Sequence, residues 1–169
     1  FLQEVALAAS STLDLDEVDV GALVNRTVEE FRIAAPTRTW KVDVAPDLPA
    51  VLADRVRLRE ALANLLDNAV RYSEPGTRVE VSADRSGAGV RIAVRDQGIG
   101  IAREHHERVF ERFARLSQRE DGTGLGLFMA RAIVAAHGGS ITLESRPAAG
   151  STFVIVLPAA PPDPALGPA

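Results

Sequence analysis

Residues 64–72 of the chain read NLLDNAVRY, and they complete a segment of helical spacing that begins after Asp54. Asp54 is a favourable N-cap residue, and the leucines that follow it recur at helical intervals, which predicts a helix from residue 55 to about residue 72. One side of this helix carries leucine and alanine. The opposite side carries four polar residues within about 80° of one another, and these are Glu60, Asn64, Asn68 and Arg71.

The polar side of this helix has two interpretations, a solvent-exposed face or a binding surface. Asparagine is a mediocre helix former, and an exposed face would be expected to carry Glu, Lys or Arg instead. Asn64 and Asn68 lie one turn apart, and Arg71 follows one turn later. Amide oxygens can bind a hard cation and a guanidinium can bind a phosphate. The pattern therefore favours a site for Mg²⁺ and a polyphosphate.

The segments on either side of this helix alternate between helical and strand periodicity. One helix is predicted to begin after Asp19, which can cap it, and to end before Pro36. Another is predicted over residues 125–137 and ends at Gly138-Gly139. Strands are predicted over five short segments, residues 39–44, 79–83, 90–94, 141–144 and 152–157. This order predicts an α/β (α+β) two-layer sandwich, in which three main helices cover one face of a mixed, mostly antiparallel sheet of about five strands.

Composition limits the class of protein. The chain has 169 residues, of which 46% are hydrophobic and 25% charged, so one domain can bury a core and intrinsic disorder is excluded. The absence of cysteine excludes a disulfide scaffold, a thiolate zinc site and a cysteine nucleophile. A net charge of −4 argues against nucleic-acid binding. We expect a domain over residues 18–158, a helix stub and linker over residues 1–17, and a disordered proline-rich tail over residues 159–169.

Two glycine-containing segments lie between the periodic elements. Asp96-Gln97-Gly98-Ile99-Gly100 follows an apolar strand, so its carboxylate could accept a hydrogen bond from an amino group such as that of adenine. A turn organised by the aspartate is the alternative. Residues 121–127, DGTGLGL, precede the last predicted helix, whose N-terminus offers N–H groups to a phosphate. This segment is neither a P-loop nor a dinucleotide fingerprint, because no Gly-Lys-Ser/Thr follows it and no strand precedes it.

Taken together, these segments resemble the ATP-binding domain of bacterial sensor histidine kinases, within the superfamily that also contains gyrase, the Hsp90 chaperones and MutL. Residues 64–72 resemble the N box of that family, and residues 96–100 resemble its first glycine box. Phe110-Glu111-Arg112-Phe113 resembles its F box. GTGLGL at residues 122–127 resembles its second glycine box, and Gly150-Ser151-Thr152-Phe153 a further short motif. The resemblance covers about residues 18–158 and implies a Bergerat-type ATP-binding fold.

The resemblance implies a role for each matching residue. Asn68 would ligate Mg²⁺ with the help of Asn64, and Arg71 would contact the phosphates, so these three residues would form the catalytic group. The adenine base would contact residues from three segments, namely Tyr72, Asp96, Gly98, Gly100, Ile101 and Thr152. Asp96 would accept the hydrogen bond of the adenine amino group, and the two glycines would let the base approach closely. Glu60 would either support the site or belong to an exposed face.

The phosphates would be held from the second glycine box, by Gly122, Thr123, Gly124, Leu125 and Gly126. These residues would end a lid over residues 112–123, which has few apolar residues and is expected to be mobile without nucleotide. Phe110 and Phe113 would anchor the lid, or would simply be core residues.

The chemistry implied is phosphoryl transfer with slow hydrolysis. In the ATPase relatives a glutamate occupies the position of Asn64 and acts as general base, which an amide cannot do. The acceptor would be a histidine on a separate dimerisation domain, expected upstream of Phe1. None of the three histidines lies there, and His137 is best explained as a helix cap or a partner of the helix dipole. His105 and His106 are interpreted as surface residues or metal ligands. The partners implied are that dimerisation domain and a response regulator, in a homodimeric, membrane-anchored sensor whose cytoplasmic part contains this domain.

Three alternatives remain open at the level of sequence. The first is an ATP-hydrolysing member of the superfamily, against which Asn64 argues. The second is a serine kinase of the anti-sigma type, against which the F box and the preceding helix stub argue. The third is a nucleotide-gated protein-interaction module without catalysis, which the complete set of motifs disfavours. No contact of this domain with nucleic acid or membrane is expected.

Overall fold

The computed structural model describes residues 12–114 and 123–160, which form seven strands and three α-helices. In chain order these are β1 (Asp16–Val18), α1 (Val20–Ala34), β2 (Thr39–Val44), β3 (Val51–Ala53), α2 (Arg55–Arg71), β4 (Arg78–Ser86), β5 (Gly89–Asp96), α3 (Gly126–Ala136), β6 (Ser140–Ser145) and β7 (Ser151–Leu157). Two 3₁₀ helices, Arg103–His105 and Arg108–Phe110, lie between β5 and α3. The predicted helix stub and most of the predicted tail lie outside the described residues.

A mixed five-stranded sheet with the order β2-β4-β5-β7-β6 organises the domain. Only β2 and β4 pair in parallel, and the other neighbours in this sheet are antiparallel. The hairpin from β4 to β5 turns at Gly87 and Ala88. Strands β1 and β3 form a separate antiparallel pair that the sequence analysis did not predict, because three-residue strands are too short to show a period of two.

The core lies between one face of the sheet and the three helices. The register aligns Val81, Val94, Phe153 and Leu143 in one row across four strands, and this row faces the buried leucines of α2. Residues at the alternate positions, such as Glu80 and Arg95, face the other side of the sheet. Burial of one face against helices confirms the predicted two-layer architecture.

Aspartates begin the first two helices. The side chain of Asp19 accepts a hydrogen bond from the Ala22 N–H at 2.9 Å. The Asp54 carboxylate accepts hydrogen bonds from the N–H groups of Val56 and Arg57, both at 3.1 Å. Each carboxylate satisfies N–H groups that have no partner inside the helix, so the predicted caps of α1 and α2 are confirmed. Within the described residues, no helix has the length and apolar character needed to cross a membrane.

His137 caps the end of α3 and also joins it to the start of α2. Its Nδ1–H donates to the Ile133 carbonyl at 2.7 Å, and its Nε2 accepts from the Asp54 N–H at 2.9 Å. A main-chain N–H can only donate and a carbonyl can only accept, so the arrangement requires the neutral ring with its proton on Nδ1. The predicted cap is therefore confirmed, and it extends to a contact between two helices that the sequence did not indicate.

We expect His137→Ala to lower the free energy of unfolding by about 1–3 kcal/mol, because the part-buried Asp54 N–H loses its acceptor and the Ile133 carbonyl loses the imidazole donor. Urea denaturation followed by circular dichroism measures this change. His105→Ala is the matched control, since that ring is about one-third exposed and a surface change should stay within about 0.5 kcal/mol. Equal stability of the two variants would contradict the bridging role of His137.

Candidate functional site

A cavity of about 260 Å³ opens between α2 and the start of α3. It continues into a narrower apolar pocket that reaches the end of β5, and the two share five lining residues, Asn68, Tyr72, Val109, Ala114 and Leu127. We call the first the outer cavity and the second the inner pocket. Asn68 and Asp96 both line the inner pocket, so the polar face of α2 and the first glycine segment (residues 96–100) meet at one site.

The predicted polar face of α2 lines the outer cavity. Asn64, Asn68 and Arg71 all contribute to it, and so does Glu60. Both asparagines are half-buried, and no hydrogen bond to another described residue occupies either amide. Two amide oxygens thus stand open in a polar cavity, which favours the binding-surface interpretation of this face.

Two carboxylates share the outer cavity with these amides. Asp67 pairs with Arg71 at 2.9 Å, and Glu60 pairs with Arg57 at 3.2 Å. Within the described residues no cluster of three His, Cys, Asp or Glu side chains could hold a metal ion. The oxygen donors of the cavity therefore fit Mg²⁺ only as part of a shared shell, in which phosphate oxygens and water complete the coordination.

Asp96 is the buried charged group of the inner pocket, with a fractional exposure of 3%. Its Oδ1 accepts hydrogen bonds from the N–H groups of Gly98 at 2.8 Å and Ser151 at 3.2 Å. Burial raises the pKa of Asp96 above its ordinary value, and these two hydrogen bonds oppose the rise. Both bonds end on Oδ1, and no described residue donates to Oδ2, which can therefore accept a hydrogen bond from a ligand.

The glycines of the first glycine segment are required by the protein's own packing. A Cβ on Gly98 would overlap the Tyr72 carbonyl oxygen, and a Cβ on Gly100 would overlap the carbonyl oxygen of Arg146. Gly100 also has a φ of +69°, which disfavours other residues. Gly100 lines the inner pocket as predicted, but Gly98 acts by letting its N–H reach Asp96. Contacts within the chain thus require these two glycines, and the close approach of a base stays a prediction.

The described part of the second glycine segment begins α3 at the rim of the outer cavity. Thr123, Gly124, Leu125 and Gly126 line this cavity, and the N-cap residue Leu125 makes no side-chain hydrogen bond to the helix. A Cβ on Gly126 would lie 3.4 Å from the Asn64 Oδ1, so the helix N-terminus lies directly against α2. Its free N–H groups and dipole favour an anion in the cavity. Gly122 and most of the predicted lid lie outside the described residues.

Three residues that were predicted to contact the base or to anchor the lid lie in three different environments. Thr152 points to the opposite face of the sheet and lines neither the outer cavity nor the inner pocket, because residues in a strand alternate and its neighbour Ser151 takes the inner position. Phe110 is a core residue, in edge-to-face contact with Phe153 at 6.0 Å between centroids. Phe113 is 59% exposed, with a φ of +60°.

Other predicted contacts do line the inner pocket. Tyr72 and Ile101 contribute to its wall, together with residues that the sequence analysis missed, namely Ile99, Val109, Ala114, Leu127 and Ser151. A signal for Ser151 was present in the sequence, since residues two apart on a strand share a face and Phe153 belongs to the core. The 3₁₀ helix that carries Val109 gave no comparable signal, because three residues are too few to establish a period.

Comparison with known proteins places this site in a family. Residues 53–161 match the family described as histidine kinase-, DNA gyrase B-, and HSP90-like ATPase. The sensor-like histidine kinase SenX3 of Mycolicibacterium smegmatis is 44% identical over 155 residues, which cover 88% of this chain and 40% of that protein. SenX3 of Mycobacterium tuberculosis is 42% identical over 153 residues, covering 86% and 37%. The chain thus spans about two-fifths of the length of these relatives.

Solved structures with this fold are also sensor kinases. The mycobacterial sensor histidine kinase MprB superimposes with a TM-score of 0.77 at 33% identity, covering 87% of this chain and 99% of that one. Full-length ShkA in complex with AMPPNP gives a TM-score of 0.79 at 32% identity, covering 88% of this chain and 32% of that one. Together with the shared cavity of Asn68 and Asp96, these matches show that the chain belongs to the family of histidine kinase-, DNA gyrase B- and HSP90-like ATPases.

Proposed function

We propose that this domain binds ATP with Mg²⁺ and donates the γ-phosphate to a histidine on a separate dimerisation domain of a two-component sensor kinase. The observation that carries the proposal is the position of Asn68, which lines both the polar outer cavity and the inner pocket that contains Asp96. One elongated ligand with a base at one end and phosphates at the other fits that combination. The relatives named as sensor histidine kinases support the acceptor chemistry.

The inner pocket would hold the adenine base. Asp96 Oδ2 would accept a hydrogen bond from the amino group, and Tyr72 and Ile101 would pack against the ring. The carboxylate is buried, so a ligand that does not donate to it would leave a polar group unsatisfied. A guanine base presents a carbonyl oxygen at the corresponding position and would therefore be rejected.

The outer cavity would hold the triphosphate. Asn68 and Asn64 would share Mg²⁺ with phosphate oxygens, and the ion would supply neutralisation of their charge when bound. Arg71 would turn from Asp67 to the phosphates, which compete with a carboxylate for a guanidinium. The N–H groups at the start of α3 would bind the remaining oxygens. These groups position the phosphates and stabilise charge, which is how proteins accelerate phosphoryl transfer.

ATP hydrolysis is the second candidate, and Glu60 is the observation that favours it. Glu60 lines the outer cavity and is a carboxylate, which is the chemical type of a general base. Its Oε2, however, accepts a hydrogen bond from Arg57 at 3.2 Å, and Asn64 occupies the position nearer to the start of α3. We therefore favour transfer to a protein acceptor over transfer to water.

The acceptor histidine would belong to another domain. His137 uses both ring nitrogens within the fold, and the His106 Nε2 lies 3.1 Å from the Ile101 carbonyl oxygen. His105 lies on a 3₁₀ turn beside Glu104. We propose the dimerisation domain of the same protein as the phosphate acceptor and a response regulator as the next one, in a homodimeric sensor that places this domain on the cytoplasmic side of a membrane.

We expect titration calorimetry to show binding of ATP and ADP, a Mg²⁺-dependent gain for ATP, and GTP affinity at least about tenfold lower, because the guanine carbonyl would face the Asp96 carboxylate. Labelled ATP should then transfer phosphate to an added histidine-bearing dimerisation domain. Equal affinities for GTP and ATP would contradict the role of Asp96. Steady phosphate release without an acceptor would instead favour hydrolysis.

A further inference from the structure

A hydroxyl network behind the inner pocket joins three segments of the chain. Ser145 at the end of β6 lies opposite Ser151 at the start of β7, and their Oγ atoms are 2.9 Å apart. The Ser145 Oγ also lies 2.8 Å from the Ile101 N–H and 2.7 Å from the Gly150 carbonyl oxygen. Ser145 does not itself line the inner pocket, whereas Ser151 does.

Counting protons fixes the direction of each bond. A hydroxyl has one proton and two acceptor positions. The Gly150 carbonyl oxygen can only accept, so the single Ser145 proton goes to it, and the Ile101 N–H can only donate, so it takes one acceptor position. The remaining position of Ser145 is an acceptor. Ser151 must therefore donate its proton to Ser145, so its own oxygen keeps only lone pairs for any other partner.

With this direction of hydrogen bonding, Asp96 and Ser151 can both act only as acceptors toward a ligand in the pocket. The Asp96 carboxylate accepts from main-chain N–H groups at Oδ1 and leaves Oδ2 as an acceptor. Ser151 also lines this pocket, and its hydroxyl can offer a ligand there only an acceptor. A 6-amino purine presents two N–H donors at its amino group, and a 6-oxo purine presents an oxygen that neither group can satisfy.

We propose that Ser145 is a positioning residue for base selection: by taking the proton of Ser151, it makes the pocket accept 6-amino purines and reject 6-oxo purines. The inference rests on the proposed binding of ATP in this pocket and extends it to a residue outside the pocket. Without the Ser145 hydroxyl, Ser151 can rotate its proton toward the ligand and donate to a 6-oxo group.

The test compares three triphosphates by titration calorimetry on the full chain. ATP carries a 6-amino group, inosine triphosphate carries a 6-oxo group, and purine riboside triphosphate carries only hydrogen at that position. Ser145→Ala should lower the ratio of ATP to inosine triphosphate affinity by about five- to tenfold, roughly the effect of one hydrogen bond. Ser145→Thr keeps a hydroxyl and should retain the wild-type ratio. Ser145→Cys, a weak hydrogen-bonding group, should relax the ratio if the alanine variant does not fold.

The purine riboside nucleotide separates selection from damage to the fold. If Ser145→Ala weakens all three nucleotides by the same factor, the residue is only structural and the proposal is overturned. In a Ser151→Ala background the Ser145 substitution should no longer change the ratio, and a further change there would also overturn it. A wild-type chain that binds none of the three would overturn the proposed function itself, which is a distinct result.

Discussion

Asn68→Ala should abolish the Mg²⁺-dependent part of ATP binding while leaving the fold intact. Asn68 is half-buried at the junction of the outer cavity and the inner pocket, and no described residue occupies its amide. Alanine removes the oxygen that would bind the ion but keeps helix propensity and the packing of α2. Phosphate transfer to an acceptor domain should fall by about 100-fold or more, the typical cost of losing a group that stabilises transition-state charge.

The measurement is a pair of ATP titrations, with Mg²⁺ and with a chelator, on the variant and the wild type. The wild type should bind more tightly with Mg²⁺, and the two curves of the variant should coincide. Asn25→Ala, which makes the same change at an exposed position of α1, is the matched control and should behave as the wild type. Persistence of the Mg²⁺ effect in Asn68→Ala would show that the ion is held by other residues.

Asp96→Asn should weaken ATP binding and stabilise the empty protein. The amide oxygen can still accept the hydrogen bonds of Gly98 and Ser151, so the local geometry is retained. The N–H donor of the asparagine amide then replaces the free carboxylate oxygen in the pocket. Two donors face each other, because the 6-amino group of the base also donates. We expect a loss of about 1–3 kcal/mol in binding, or roughly ten- to a hundredfold in the dissociation constant.

The stability gain follows from the direction of the pKa shift. Burial raises the pKa of Asp96 in the folded state above its unfolded value. The folded state therefore favours the protonated carboxyl over the ionised form. The stability that the protonated form contributes is fully present at acid pH and is lost as the pH rises through the folded pKa. The asparagine variant does not titrate, so its free energy of unfolding should exceed that of the wild type at neutral pH, and the gap should close toward acid pH.

Urea denaturation at neutral and acid pH measures this gap, and titration calorimetry measures the loss of affinity. Asp84→Asn provides the control, because it neutralises an exposed carboxylate on β4, paired with Arg91 at 3.7 Å, and should change neither quantity. An Asp96→Asn variant that bound ATP like the wild type would contradict the assignment of Asp96 to the base. If Asp96→Asn and the wild type had equal free energies of unfolding at neutral pH, burial of the Asp96 carboxylate would not destabilise the fold.

The helices were the most predictable part of the fold and of the site. In α2, a cap at Asp54, a buried leucine face and a polar face with Asn64 and Asn68 all follow from neighbours within one or two turns. Such signals are local, and the structure places the face that they define on the outer cavity. The same reasoning predicted the carboxylate of Asp96 at the end of a strand.

Contacts between strands were predicted less well. Thr152 and Ser151 exchange faces if the register of β7 shifts by one residue, and that register is set by pairing with β5 and β6. The requirement for glycine at position 100 comes from the Arg146 carbonyl, which the β6–β7 turn brings close. No local pattern around Gly100 contains that information.

The amino-acid sequence by itself determined which chemistry the chain can perform, since it fixed the residue types, their order and the helical face that presents Asn64 and Asn68. The tertiary structure decided which groups act together. It brought Asn68 and Asp96 to one pocket, gave Ser151 rather than Thr152 to its wall, and placed Ser145 behind it. The division has a physical reason: helical periodicity and capping depend on neighbours in the chain, whereas strand register and hydroxyl networks depend on segments that meet only when the sheet forms.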